Sequence, residues 1–483
     1  MDKKITKNYI YNIIYQFLII GLPFLTIPYL SRVLGATQLG INAYANAICQ
    51  FFGVVAIFGV SMYGTREVAY VKDKKNTLTK TFWEIFFVKL ISGILALIFY
   101  MLFILLFEEN YKLIMFLYSL NILALMLDIS WLFMGLEDFK KTISRNIIVR
   151  VISTLLIFVF VKNEGDIYIY ILINLMGSLL GNIIMWCYVP KIVNISFKEI
   201  NIISVFKRIL PCFSLFIPHF IIQLYAQLDR YFLAQYSTMD QVGVYDQAQK
   251  LLVTILAFIT SLATVLSPRV AHSFANNEME KVKYYLQRSI IFALYTCLPM
   301  IFGIIGISNT LPSWFYGGKF EGINSVLIIM SPMILLVTLG TVFGAQYLIQ
   351  VGKQRQYTYG IIAGAIISIV LNILLDKSLG ANGAAIAKVM AEGSVAITYI
   401  IFSAKFLGIR IFLKDFMKYL GLSIGMFCIV YPVGILFGSS IYTTVLQVVV
   451  GGTFYLGALH ILKDDLQMEL WYKIKSKIFR GKI

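Results

Sequence analysis

Arg32, Lys89, Arg150, Arg230, Lys250 and Lys388 lie within or beside long apolar stretches of this 483-residue chain, as do Asp128, Asp229, Asp246 and Glu392. Ionisable groups in such stretches are costly, and they persist where they face a cavity or a partner. Spacing sorts them. Asp246 and Lys250 are four apart, as are Lys388 and Glu392, so each pair shares a helix face and neutralises itself. Arg32 has no acid within four residues, and Arg230 has only Asp229, on a different side of the helix. An arginine presents five donors in a planar fork, a geometry matched to phosphate oxygens. We therefore read the six cations as the lining of a positive cavity that binds an anionic head group. Arg32, Arg230, Lys250 and Lys388 fall toward the outer side of the membrane, and Lys89 and Arg150 toward the inner side.

Other chemistries find no residues to perform them. No G-x-x-x-x-G-K-[ST] phosphate loop occurs; "YGGKF" and "VGKQR" do not fit it. His219, His272 and His460 are far apart and have no partner at metal-ligand spacing, so neither metal nor cofactor is expected. The five cysteines sit in apolar segments with no C-x-x-C, against disulfides and structural zinc. The outer loops, "STMDQ" and "GSS" among them, are too short to hold a catalytic site. The reading is of a protein that is not an enzyme.

The elements that must position these groups follow from composition. Hydrophobic residues make up 59% of the chain and charged ones 13%, with a mean hydropathy of +0.81. That charge share is about half the soluble average, so lipid is the solvent. Spanning helices need about 20 apolar residues, and fourteen segments approach that length. They are Tyr9–Leu30, Leu39–Tyr63, Phe82–Phe107, Leu113–Leu136, Asn146–Val161, Ile167–Val189, Ile209–Tyr236, Val242–Leu266, Ile290–Leu311, Ile323–Val351, Tyr357–Leu375, Gly383–Phe402, Tyr419–Phe437 and Ile441–Leu462. With both termini cytoplasmic, inner segments hold 31 of the 41 Lys and Arg and outer loops five, the bias that sets orientation. The net charge of +17 is thus topological, scattered over short loops, and implies no nucleic acid. Met1–Asn8 is basic and lacks a cleavage site, so the first span is expected to be retained.

A repeat organises the spans. "SRVLGATQLGINAYANA" is echoed by "DRYFLAQYSTMDQVGVYDQAQ": Arg32 matches Arg230, 198 residues on, and Gly40 matches Gly243, 203 residues on. Six spans precede each return, a parallel repeat whose site is expected between two halves that rock against each other. Pro23 and Pro28 interrupt span one; Pro211 and Pro218 interrupt its partner, span seven. Leu466, Leu470, Ile474 and Ile478 recur every four residues among lysines, an amphipathic tail suited to an anionic leaflet. The expected divisions are residues 1–195 and 196–403 as six-helix lobes, 404–462 as two further helices, and 463–483 as the tail.

"PYLSRVLGATQLGINAYA", "WLFMGLEDF", "DRYFLAQY" with "VGVYDQAQKL", "LSPRVA" and "LGANGAAIAKVMAE" together resemble the Wzx-like polysaccharide flippases of the multidrug/oligosaccharidyl-lipid/polysaccharide exporter superfamily. The likeness runs the length of the chain and departs at Met134, where relatives often carry glutamine. It implies an all-α polytopic membrane protein of two pseudo-symmetric six-helix bundles plus two helices. It further implies movement of undecaprenyl-diphosphate-linked oligosaccharide to the outer leaflet of the bacterial cytoplasmic membrane by alternating access. Lipid-linked glycan, membrane lipids and the polysaccharide polymerase machinery are the partners it implies, and it implies coupling to an ion gradient with Asp128, Asp246 and Glu392 as the candidate proton or sodium carriers. The alternatives are a teichoic acid precursor flippase, a lipid II flippase, and a cation-coupled multidrug antiporter of the same superfamily, whose cavity would be lined by acids.

Overall fold

In hydrocarbon every backbone amide must be satisfied within its own segment, and the apolar runs accordingly fold as helices. In the computed structural model, which describes residues 3–194, 202–264, 267–407 and 412–480, no strand occurs among the described residues. These residues divide into two units, one running to Asp246 and the other starting at Gln247.

The first unit holds α1 (Lys3–Ile57), α2 (Val60–Val71), α3 (Lys75–Phe107), α4 (Lys112–Leu127), α5 (Ser130–Gly135), α6 (Phe139–Phe160), α7 (Ile167–Trp186), α8 (Ile202–Tyr236) and the start of α9 (Met239–Thr264). Within α1 the backbone breaks at Gly35, with φ 78° and ψ 176°, a conformation open essentially to glycine alone. Pro23 and Pro28 remain inside the helix, whereas α8 bends by 44° between Ile217 and His219, where Pro218 stands. Arg208 of α8 fastens α2 and α3, donating to Tyr63 (2.9 Å), Glu67 (2.8 Å) and Glu84 (3.1 Å). Around it lies an aromatic core in which Phe82 stacks on Trp131 at 5.4 Å.

The second unit holds α10 (Ser267–Ala275), α11 (Met279–Ile307), α12 (Leu311–Phe315), α13 (Ile323–Met330), α14 (Met333–Gly340), a π-helical stretch Thr341–Leu348, α15 (Gln354–Leu379), α16 (Ala381–Leu407), α17 (Leu413–Phe437), α18 (Ile441–Ile461) and α19 (Asp465–Arg480). The tail is helical as expected. Its Leu466 and Leu470, however, pack against the core of this unit, so the first turns of its apolar face meet protein. The side chains of Ile474 and Ile478 lie outside the described residues.

Among the described residues eleven helices are long and apolar enough to cross a membrane, or twelve with bent α8. This is a multi-pass membrane protein. The expected fourteen counts α1 twice, once on each side of Gly35, and includes α9, whose first half carries Asp240, Asp246 and Lys250. Exposed aliphatic rows such as Leu102, Leu105 and Leu106 on α3, or Val370, Ile373 and Leu374 on α15, are the surfaces lipid would cover.

Candidate functional site: a polar pocket in the first unit

The pocket is built around a break in a membrane-spanning helix. The helix α4 ends at Leu127, Asp128 is extended (φ −71°, ψ 117°), and α5 resumes at Ser130. Such a break leaves carbonyls that must find donors at membrane depth. They do: Asn182 Nδ2 donates to Ala124 O (2.6 Å) and Trp186 Nε1 to Leu127 O (2.8 Å). Asp128 N–H turns back to Leu125 O at 3.3 Å, and Lys89 Nζ donates to the carbonyl of Asp128. Four carbonyls at the break, those of Ala124, Leu125, Leu127 and Asp128, are thus satisfied.

The Asp128 carboxylate accepts from the backbone N–H of Ser130 (3.1 Å) and from its hydroxyl. Lys89 Nζ lies 3.8 Å from one oxygen and Arg145 Nη1 3.6 Å from the other. Lys89 is buried, its side chain 1% exposed, and such a charge is tolerated only when paired. Arg145 is engaged at every nitrogen: Nη1 to Asn182 (2.7 Å), Nη2 to Ser130 Oγ (3.2 Å) and Asn146 (2.8 Å), Nε to Asn146 (3.1 Å).

Beside this network opens a cavity of about 460 Å³ between α1, α4, α6 and α7. Its polar wall has helical period on both sides: Asn146, Arg150, Ser153 and Thr154 on α6, with Tyr170, Asn174, Ser178 and Asn182 on α7. Positions three, four, seven and eight apart share a helix face. Arg150 stands twelve residues into the 22-residue α6, and it makes no hydrogen bond or ion pair with any described residue.

Of the sequence-derived candidates, Asp128 and Arg150 therefore line one cavity, with Lys89 behind Asp128. Arg230 is also in the first unit. The acid that sequence spacing did not supply comes from the next helix: Arg230 Nε donates to Asp246 Oδ1 at 2.7 Å, in a pair only 13% and 2% exposed. Its neighbour Asp229 accepts from Tyr245 at 2.9 Å. Arg230 is thus held by a carboxylate, while Arg32 is exposed. In the second unit Lys388 meets Glu392 at 3.2 Å, the pair expected from their spacing, and Lys250 is half-buried. Sequence reasoning missed Arg145, which it counted among inner-loop charges, and Asn182. The signal available was a pair of strongly polar residues interrupting apolar periodicity at the ends of spans five and six.

A family model described as Polysaccharide biosynthesis protein matches residues 5–274, more than half of the chain. The chain belongs to this family. A second model, MatE, matches residues 219–374. Among curated members, the Putative O-antigen transporter of Escherichia coli (strain K12) is 25% identical over 402 residues, covering 81% of this chain and 95% of that one. Among solved structures, Lipid II flippase MurJ in an inward closed conformation superposes with a TM-score of 0.72 at 18% identity, over 95% of this chain and 99% of that one. An inward-facing multidrug resistance MATE transporter of the MOP superfamily follows at 0.63 and 14%, over 81% and 94%. These two structural likenesses concern the fold alone. For a polysaccharide biosynthesis protein, an arginine on the wall of a polar pocket with no hydrogen-bond or ion-pair partner among the described residues is the feature that bears on chemistry.

Proposed function

We propose that this protein is a transporter, not an enzyme, and that it moves lipid-linked oligosaccharide from the inner to the outer leaflet of the bacterial cytoplasmic membrane for cell-surface polysaccharide. The observation that carries this reading is Arg150, a cation midway along a membrane helix on the wall of a pocket of hydroxyls and amides, with no hydrogen-bond or ion-pair partner among the described residues. Such a group calls for an anionic, hydrogen-bonding ligand. Family membership and the curated relatives, an O-antigen transporter and a glycan biosynthesis flippase of Haloferax volcanii, support the same substrate class.

On this reading the chain crosses the membrane fourteen times with both termini cytoplasmic, and exposes its sugar-phosphate site to one leaflet at a time. Arg150 is the cation we assign to the anionic head. Lys89, Arg230 and Lys388 hold acids, and exposed Arg32 and half-buried Lys250 are assignments from the sequence. A coupling ion arriving at Asp128, Asp246 or Glu392 competes with a cation already in place. The multidrug alternative is not favoured, because the acid of this pocket is neutralised by Lys89 and Arg145.

The test is a deletion strain. Lipid-linked repeat units should accumulate on the cytoplasmic face and disappear when the gene is restored. Unchanged surface polysaccharide with no accumulation would remove the proposal.

A further inference from the structure

We propose that the second half of α19 is a docking surface for anionic phospholipid head groups, and that α19 thereby ties α11 and α17 to the membrane surface. Depth comes first. The membrane-spanning length of α18 ends at Ile461, and Ile461 and Leu462 are 81% and 59% exposed, an apolar end of the kind that lipid covers. The chain then turns at once. Lys463 is left-handed (φ 51°), its N–H donates to His460 O (3.1 Å), and Asp464 N–H reaches back to Leu459 O (3.0 Å), a closed helix-ending motif. The helix α19 therefore starts at the edge of the bilayer with its direction fixed. Its 16 residues run about 24 Å at about 1.5 Å each.

Charge divides this helix in two. Residues 464–470 carry three acids, Asp464, Asp465 and Glu469, and no base; residues 471–483 carry Lys473, Lys475, Lys477, Arg480 and Lys482 and no acid. The acidic half is taken up by protein. Asp464 accepts from Lys418 and from Tyr419 (3.0 Å), Glu469 pairs with Arg288, and Gln467 accepts from Tyr295 (2.6 Å). Leu466 and Leu470 pack on the core of the unit. The basic half opens with Trp471, 49% exposed, its ring 5.4 Å from that of His460 at the end of α18, and continues with exposed Tyr472 and Lys475. Tryptophan and tyrosine settle at the head-group level of a bilayer. A cluster of about four to eight Lys and Arg on an amphipathic helix beside a span draws anionic lipid to it. The position of Trp471, against the end of a membrane span, favours lipid over the acidic surface of another protein.

The experiment uses the full chain in nanodiscs of phosphatidylcholine, alone or mixed with phosphatidylglycerol. Hydrogen-exchange protection over residues 471–480 should be at least tenfold higher with phosphatidylglycerol. Sodium chloride at about 1 M, where the Debye length is about 3 Å, should abolish that difference. Phosphatidylcholine brominated on its acyl chains should quench the emission that Trp471→Phe removes. Lys473→Gln, Lys475→Gln and Lys477→Gln made together should lose the rise in protection, and the same three positions changed to Arg should keep it. Residues 465–470, held by protein, should stay equally protected throughout. Equal protection in the two bilayers overturns the proposal, and so does a rise that survives the triple Gln substitution. Trp471 emission that brominated lipid leaves unquenched would mean that another surface covers the helix, and overturns it. Protection lost over residues 465–470 in the triple Gln variant would mean that the lysines hold α19 to protein, and overturns it as well.

Discussion

Gly40 and Gly243, matching positions of the repeat, stand against each other's helices in the first unit, Gly40 against the first turn of α9 and Gly243 against α1 just past its break at Gly35. A Cβ on Gly40 would fall 1.8 Å from Met239 O and 2.9 Å from Gly243 N; one on Gly243 would fall 2.0 Å from Ala36 O. Ala36 and Met239 are themselves 203 residues apart, the spacing of the glycines. So are Thr37 and Asp240, and Thr37 donates a hydrogen bond to Asp240. The repeat seen in sequence is, at this seam, a reciprocal contact about a local two-fold.

Backbone, not a flexible side chain, is what a methyl group would meet there. Gly40→Ala or Gly243→Ala should each lower stability by about 3 kcal/mol or more, at the upper end of overpacking costs. Thermal unfolding of the purified protein checks this, with Gly21→Ala as the silent control, since nothing lies within 4 Å of its Cβ.

Removing one member of a buried pair strands the other. Asp128→Asn leaves Lys89 buried without its carboxylate and should destabilise the first unit by about 3–5 kcal/mol. Adding Lys89→Met should recover part of that loss. A double-mutant cycle in which the two losses simply add would show that the pair is not coupled.

Arg230 and Arg32 should part ways despite their repeat equivalence. Arg230→Ala leaves Asp246, 2% exposed, without its guanidinium, and should reduce folded yield by a cost of about 3–5 kcal/mol. Exposed Arg32→Ala should change stability by less than about 0.5 kcal/mol while reducing glycan export. Size-exclusion yield beside surface polysaccharide separates the two outcomes.

Docking of the tail should respond to acid. Asp464 precedes α19 as its cap: Oδ1 accepts from Gln467 N–H at 3.0 Å, and Oδ2 from Tyr419 (3.0 Å) and Lys418. Burial alone would raise its pKa, yet Lys418, Gln467 N–H and Tyr419 together hold it below the usual carboxylate range. A depressed folded value means the ionised form stabilises the fold. That contribution is complete above the unfolded carboxylate pKa and is lost as pH falls through the depressed one. The hydrogen-exchange protection factor over residues 465–480, taken relative to the intrinsic rate at each pH, should be level from pH 5 to about 8 and fall only in stronger acid. Asp464→Ala should lower it at neutral pH, with loss of the cap worth about 1 kcal/mol.

Much of the helical order was legible because one rule governs it: twenty apolar residues make a membrane helix. The Lys388–Glu392 pair was legible because both partners lie on one helix. What lay across helices was not. Arg230 and Asp246 are sixteen residues apart, a distance at which only the folded hairpin says which side chains meet. Arg145 was hidden by a boundary, since α6 begins at Phe139 rather than Asn146. The break at Asp128 was hidden inside an apolar run, where Asn182 and Trp186, more than fifty residues away, satisfy the carbonyls it frees. Ser153, Thr154 and Tyr170 read individually as ordinary helix residues, and gain meaning only beside Arg150.

The pocket divides its labour along α6. Arg145, bound to Asn146, Asn182 and Ser130, supports the scaffold, while Arg150, Ser153 and Thr154, one to two turns further on, are free of structural duties. Substitutions at the second set leave the braced helix break untouched. A lineage of such proteins is thereby able to change its repertoire of glycans through a handful of surface-like mutations in the membrane interior, without first acquiring a new fold.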